Sequence, residues 1–502
     1  MLSLLGQGFS AILEPYCLLL ILAGTAVGIL FGAVPGLTSV MAVALFLPVT
    51  YGMDPGTGIA VLVSLYIGAT SGGLISAILL KIPGTPASVA TCWDGHPMVD
   101  KGEGAKALGA GVVFSFLGTI ISIAALVFIA PPLARIALRF GPHEYFAIAI
   151  FSLTLIASLS SGSMIKGLFS GALGFAFATV GIAPIEANVR FSFGSYELND
   201  GFKTLTVLIG LFAISEVIKA AESVKTEAQA TVANVNMKKI RGFGFSREEF
   251  KKQIGNMFRS SAIGIGVGIL PGIGAGTSNI LSYIAAQKQS KHPELFGTGI
   301  LDGIIASETA NNAGIGGAMI PLMTLGIPGD GVTAILLGGF MVHGIAPGPL
   351  LFTNHAVLVY TIFAALILSS IAMLIIEFYG LRIFIKLLNV PKHILLPIVF
   401  ILCVVGAFGL SSLIFDVWTI LVFGAVGYFF VSFKVPQAPF IIGFILGPMA
   451  ELNMRRGLML SDGRWAGFFE NSISCIFIVL SLFSVAYIII KGLSNRKKDA
   501  RA

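Results

Sequence analysis

Apolar runs of bilayer-spanning length, ~20 residues each, follow one another along the whole chain, and Gly, Pro, Asn and Thr interrupt them in a recurring order. The first run, Tyr16 to Val34, ends at Pro35-Gly36; a second continues to Pro48, and a third spans Ile59 to Ile82 and ends at Pro83-Gly84. Further spans are expected near 108–130, 145–160, 165–183 and 204–221, with the double proline Pro131-Pro132 closing the first of these because neither residue donates a helical hydrogen bond. A polar loop, Asp94 to Lys106, separates the third and fourth runs. Ser246-Arg-Glu-Glu249 has the spacing of a capping box and predicts the start of a short surface helix. Beyond Leu350 the spans near 351–378, 394–412, 415–433, 438–449 and 470–491 carry few polar interruptions and read as scaffold or dimer-forming helices. Roughly ten to twelve crossings fit.

The interruptions repeat. Gly-x3-Gly-x2-Pro-Gly occurs at 28–36 and again at 264–272. Ser71-Gly72 precedes Ile82-Pro83-Gly84 at the interval by which Gly316-Gly317 precedes Ile327-Pro328-Gly329. A single Gly-x3-Gly is common wherever membrane helices pack; an ordered pair of such anchors in both halves predicts two internal repeats. The predicted organisation is an N-terminal membrane half, 1–221, with the first repeat at about 16–110; a basic cytoplasmic loop, 222–259; a second repeat with broken helices, 260–350; C-terminal scaffold helices, 351–491; and a cytoplasmic tail, 492–502. Two broken apolar units in corresponding halves are the sequence pointer to the binding site of a secondary transporter.

Composition agrees. The 502 residues are 56% hydrophobic and only 11% charged, against about 25% charged in soluble domains, so the fold class is an all-α polytopic membrane protein. The net charge of +7 lies largely in the Lys225–Arg259 segment and the Lys491–Arg501 tail; it places both on the cytoplasmic side and is not read as nucleic-acid affinity. Cys17, Cys92, Cys403 and Cys475 are scattered without metal spacing and read as small apolar residues. The six histidines do not cluster, and neither a nucleophile elbow nor a P-loop is present. These features point away from an enzyme and from ATP-driven transport, with no metal and no cofactor.

Non-helical backbone at membrane depth is tolerated where it lines a polar cavity or is buried in protein. Breaks at Pro35-Gly36, Pro83-Gly84, Pro271-Gly272 and Pro328-Gly329 expose helix ends: N–H groups that attract anions, and carbonyls that suit a cation. The expected substrate-binding residues are therefore Pro35, Gly36, Thr38, Ser39, Lys81, Gly84, Thr85, Pro271, Gly272, Gly274, Gly276, Thr277, Ser278, Asn279, Pro328, Gly329 and Asp330. Asp330 is also placed to cap the helix that follows it. Glu308, a carboxylate among apolar segments, with Asn311 and Asn312, is the candidate site for a coupling cation, Na⁺ or H⁺.

At these residues the chain resembles the large membrane subunit of the tripartite tricarboxylate transporters. The resemblance covers almost the full length and rests on Lys81-Ile-Pro-Gly-Thr-Pro-Ala-Ser88, Asp94-Gly-His-Pro-Met98 with Lys101-Gly102, and Glu308-Thr-Ala-Asn-Asn312 through Gly326-Ile-Pro-Gly329. It implies a carrier of the bacterial inner membrane working with a small membrane subunit and a periplasmic solute-binding protein. It also implies cation-coupled uptake of di- or tricarboxylates. Lys81 stands where the family pattern commonly has an uncharged polar residue, and Asp330 where it has a small hydroxyl residue. Both departures bear on the substrate rather than the fold. A channel, or a transporter of a non-carboxylate solute, is the alternative reading.

Overall fold

The computed structural model describes residues 2–159, 164–223, 243–387 and 392–499. They are almost entirely helical, with one two-stranded antiparallel ribbon pairing Gly181 with Arg190 and Ile182 with Val189. Six helices among them are long and apolar enough to cross a membrane: 15–33, 55–80, 104–137, 204–222, 356–386 and 414–432. Several other apolar helices are shorter, including Gly331–Val342, because the Pro-Gly breaks divide runs that would otherwise be continuous. The chain is a multi-pass membrane protein.

The chain forms two compact units, one of residues 1–134 and 216–412 and the other of 135–215 and 413–502. The first contains both sets of breaks. Helix Pro15–Ala33 packs against Pro55–Leu80, and Arg247–Ile269 against Leu301–Leu325. Bare glycine faces allow this close approach. A β-carbon at Gly28 would stand 2.5 Å from the Leu65 carbonyl oxygen, and one at Gly264 would stand 2.2 Å from that of Ala310. Gly32 meets Ala69 O as Gly268 meets Gly314 O, and Gly72 meets Ile29 O as Gly317 meets Ile265 O. The same contacts thus occur at matching positions in both helix pairs. Small residues let membrane helices approach this closely.

All four sequence-predicted breaks are present, and each pair has matching backbone. The first long helix of each pair ends in an extended residue, Val34 (φ −81°, ψ 116°) and Leu270 (φ −79°, ψ 120°). Gly36 (φ +93°) and Gly272 (φ +75°) then take positive φ, a region in which a side chain is strained. The second long helices end in left-handed residues, Lys81 (φ 58°, ψ 22°) and Gly326 (φ 71°, ψ 23°).

The second unit is held by small-residue and aromatic packing. A β-carbon at Gly174 would stand 1.9 Å from the Phe440 carbonyl, and one at Gly443 would stand 2.2 Å from that of Gly171. Phe177, Phe423 and Phe440 form a ring cluster. Arg190 makes two hydrogen bonds to Glu451, 2.7 and 3.0 Å. In the π-helical stretch Ile209–Ile214 the Leu211 carbonyl accepts from Gln437 Nε2 at 2.8 Å and from Ser215 Oγ at 2.5 Å.

Three local expectations are corrected. Pro131 and Pro132 do not end their helix, which runs Gly104–Ala137. Their fixed φ fits a helix, and the lost bonds fall on the Val127 and Phe128 turn, where Phe128 is exposed. The polar stretch from Asp94 is mostly helical, Thr91–Asp100 with Pro97 inside. Ser246 and Glu249 do form a reciprocal capping box, but the helix they start is long rather than short, Arg247–Ile269. Residues 224–242 of the expected basic loop, and 500–502 of the tail, lie outside the described residues.

Two predictions follow from this packing. Gly84→Ala would set a β-carbon 2.0 Å from the Gly32 carbonyl, whereas Gly255 has open space around it. Gly84→Ala should therefore destabilise by about 1–3 kcal/mol, and Gly255→Ala should be neutral or stabilise by about 0.5–1 kcal/mol. Thermal melting of the full chain in detergent reads both, and equal effects would contradict the packing. Separately, Lys106 Nζ lies 2.5 Å from Glu249 and, with the Ser246 N–H, holds that carboxyl down to about 2. Its stabilisation is fully present above the unfolded value, ~4.3, and fades as pH falls towards the folded one. The melting difference between wild type and Glu249→Gln, at most about 1 kcal/mol for so exposed a pair, should shrink on acidification across that window.

Candidate functional site

The breaks of the first unit converge. The Gly272 N–H donates to the Gly329 carbonyl at 2.7 Å, joining the third and fourth breaks directly. A β-carbon at Gly276 would stand 3.0 Å from the Pro86 carbonyl, and one at Gly274 would stand 3.5 Å from Asp330 Cβ. The Gly274–Gln289 helix therefore starts between the second and fourth breaks. Gly84, in the second break, lies against Gly32 at the end of the helix that leads to the first. Thr38 and Ser39 open the Ser39–Phe46 helix, which packs on the Pro55–Leu80 and Gly331–Val342 helices.

Helix starts at the breaks differ in one respect. Thr38 Oγ1 accepts from the Met41 N–H at 3.1 Å. Asp330 Oδ1 accepts from the Thr333 N–H at 2.7 Å, and its Oδ2 accepts from Tyr66 Oη at 2.5 Å. At the second break, Ser88 Oγ accepts from the Thr85 N–H at 3.3 Å. The Gly274–Gln289 helix has no side-chain cap. Its first residues, Gly274, Ala275, Gly276 and Thr277, are half-buried, as is Gly272. The first four N–H groups of any helix lack an intrahelical acceptor, so this start presents donors in a partly dry setting.

Behind it lies a buried polar cluster. Asn279 Oδ1 accepts from the Ala90 N–H at 2.7 Å, and its Nδ2 donates to Ser307 O at 3.3 Å and to Thr91 Oγ1 at 3.4 Å. Ser278 Oγ is within reach of Ala275 O, 2.9 Å, and Ala310 O, 3.3 Å. Glu308 is fully buried and accepts from Thr91 Oγ1, Ser115 Oγ at 3.1 Å and Asn311 Nδ2 at 3.2 Å. Asn311 Nδ2 also contacts Ala87 O at 2.9 Å. Asn312 Nδ2 contacts Ser115 Oγ at 2.9 Å and Asn311 Oδ1 at 2.6 Å.

The structure thus brings together Gly272, Gly274, Gly276, Thr277, Gly84, Thr85, Gly329 and Asp330 at the meeting of three breaks, with Pro271 and Pro328 buried beside them. Glu308, Asn311, Asn312, Ser278 and Asn279 form the cluster beneath. Lys81 is exposed at its helix end, and Pro35 and Gly36 are half-buried in the first break. Sequence reasoning passed over Thr91, Ser115, Tyr66 and Glu377. Thr91 and Ser115 carry no motif and matter only because folding brings them to Glu308. Glu377 was legible as a carboxylate inside an apolar run. Asp94, read in the sequence as a loop residue and as the start of the Asp94-Gly-His-Pro-Met98 motif but not as a site residue, closes a further link. It accepts from the N–H groups of Gly297, Gly299 and Ile300 at 2.8–3.1 Å and from Tyr283 Oη at 2.8 Å, capping the approach to the Leu301–Leu325 helix.

Helices broken in register beside a buried polar cluster set this chain apart from a simple membrane anchor. The chain belongs to the tripartite tricarboxylate transporter TctA family, whose model matches residues 18–442, and is a large subunit of that class. Such transporters comprise this subunit, a small membrane subunit and a binding protein. An uncharacterized 52.8 kDa protein in the TAR-I ttuC′ 3′ region of Agrobacterium vitis is 32% identical over 497 residues, covering 99% of this chain and 98% of that protein. An uncharacterized protein in the TAR-II ttuC′ 3′ region of Agrobacterium vitis is 32% identical over 231 residues, 46% of this chain and 96% of that protein.

Asn279 gives the cluster a direct test. Asn279→Ala leaves the buried Ala90 N–H without its acceptor, which should cost about 1–3 kcal/mol. Asn279→Asp restores the acceptor but not the donor. A lower melting temperature for Asn279→Ala in detergent is expected, and unchanged melting would contradict the bracing role.

Proposed function

We propose that the chain imports di- or tricarboxylates, citrate-like organic acids, across the bacterial inner membrane by cation-coupled secondary transport, receiving them from a periplasmic binding protein and working beside a small membrane subunit. One observation carries the substrate reading: the uncapped, glycine-rich, half-buried start of the Gly274–Gln289 helix, set against the second and fourth breaks. A carboxylate leaving water must exchange its hydration for several preplaced donors, because an isolated buried charge is prohibitively costly. Helix N-terminal N–H groups supply donors and a favourable dipole together. Gly272, Gly274, Gly276 and Thr277 form the binding edge in this proposal. Gly84 and Thr85 form its facing wall, and exposed Lys81 draws anions towards it.

Asn279 and Ser278 hold the edge in place from below, while Glu308 with Asn311 and Asn312 serves the coupling cation. The matching contacts of the two helix pairs support reading them as two copies of one unit around a single site.

Thr277→Asp tests the site with a near-isosteric change. A resident carboxylate in the first turn is favourable to the helix and competes with an incoming one, so carboxylate uptake in proteoliposomes containing the small subunit and loaded binding protein should be lost while the protein remains monodisperse. Glu308→Gln should change the cation dependence of uptake more than its half-saturating substrate concentration. Wild-type transport by both variants would defeat the assignment, and a steady conductance across planar bilayers would defeat the carrier reading. A ligand screen on the binding protein identifies the carboxylate.

A further inference from the structure

Glu377 has no part in the site above. It lies in the Ala356–Leu387 helix, within one of the six spans of membrane-crossing length, and is fully buried. Its Oε2 accepts a hydrogen bond of 2.6 Å from Ser71 Oγ of the Pro55–Leu80 helix. Its Oε1 is buried with no hydrogen-bond partner. Neighbouring Leu374, Ile376 and Phe378 pack into an apolar cluster that includes Ile75, Ile78 and Leu381.

Its helix packs against Leu2–Ile12, Pro15–Ala33 and Pro55–Leu80. The ionisable residues on those three elements are Tyr16, Cys17 and Tyr66; Tyr66 is committed to Asp330. Tyr360, Tyr379, Arg382 and Lys386 share its own helix.

An ionised carboxylate in these surroundings would be a buried charge without a counter-ion, which costs several kcal/mol. A sodium ion would need a shell of oxygen ligands, as hard cations do, and among the described residues the side-chain oxygen hydrogen-bonded to Glu377 is Ser71 Oγ. A proton needs a single lone pair, and Oε1 has one free. Glu308 contrasts with it, ringed by donors from Thr91, Ser115 and Asn311 that suit an ionised group. Two carboxylates in environments this different divide their roles.

We propose that Glu377 is a proton-carrying site of the transport cycle, with Ser71 as its positioning partner. The proposal rests on the secondary-transporter reading and deepens it by naming H⁺ as a coupling ion and Glu377 as its carrier. On one side of the membrane Oε1 takes a proton from water and an O–H bond forms. The neutral acid is the form held in the buried arrangement seen here. On the other side that O–H bond breaks, the proton passes to water, and the Ser71 hydroxyl stabilises the carboxylate left behind.

Two measurements on the full chain test this. Infrared difference spectra of wild type, Glu377→Gln and Glu308→Gln, taken through a pH titration in lipid, need no substrate. A carboxylic-acid C=O band at neutral pH that is lost in Glu377→Gln and kept in Glu308→Gln is expected; absence of any band specific to Glu377 overturns the proposal. In proteoliposomes with the small subunit and binding protein, citrate serves as the probe. Glu377→Gln, which mimics the protonated acid, should keep citrate counterflow yet lose uptake driven by a pH gradient, and Glu377→Asp should restore part of the driven uptake. Driven uptake by Glu377→Gln equal to wild type overturns the proposal. Wild-type vesicles that move no citrate speak against the substrate reading alone, and the infrared result then decides Glu377.

Discussion

A helix interrupted within an apolar core releases backbone N–H and C=O groups that must find partners, and this constraint organises the first unit. The Gly272 N–H finds the Gly329 carbonyl, so one break completes another. Close approach of bare glycine faces brings the long helices near enough for this to happen, with Gly84 against Gly32 and Gly329 against Gly268. Unsatisfied backbone in a low-dielectric interior costs several kcal/mol per group, so breaks placed separately would each need their own solution. Placed together, the third and fourth share one, and the start of the Gly274–Gln289 helix has no side-chain cap.

Buried acids show how the same side chain is put to different uses by what surrounds it. Asp330 is consumed by its own helix start and by Tyr66, which makes it a fixed part of the framework. Asp94 ties the end of the first broken unit to the loop entering the Leu301–Leu325 helix. Glu308 is met by hydroxyl and amide donors, and Glu377 by one serine. Removing a donor from a satisfied acid is costly, whereas an unsatisfied acid is poised to change protonation.

Much of the architecture was legible in the sequence because Pro and Gly act locally. Each Pro-Gly pair follows a helix end, with positive φ at Gly36 and Gly272 in two of them and at Lys81 and Gly326, just before the pair, in the other two. Ser246-x-x-Glu249 was legible for the same reason. Pro131-Pro132 was misread because the fixed φ of proline fits a helix, and the helix continues through both residues to Ala137. The site was less legible. Composition marked Asn279 and Ser278 as polar groups near a break, but whether they face a ligand or brace the backbone depends on Ala90 and Ser307, distant in sequence. Glu377 was overlooked because its run carries no Gly or Pro signal, although a carboxylate in such a run is itself a signal.

The proposed anion-binding edge is the start of the Gly274–Gln289 helix. Its most direct test is an experimental structure of the complete transporter with its carboxylate bound. Ligand density is expected within hydrogen-bonding distance of the backbone N–H groups of Gly274 to Thr277, facing the Pro83–Ser88 break. Ligand density elsewhere, with those N–H groups capped by protein or open to lipid, would contradict it.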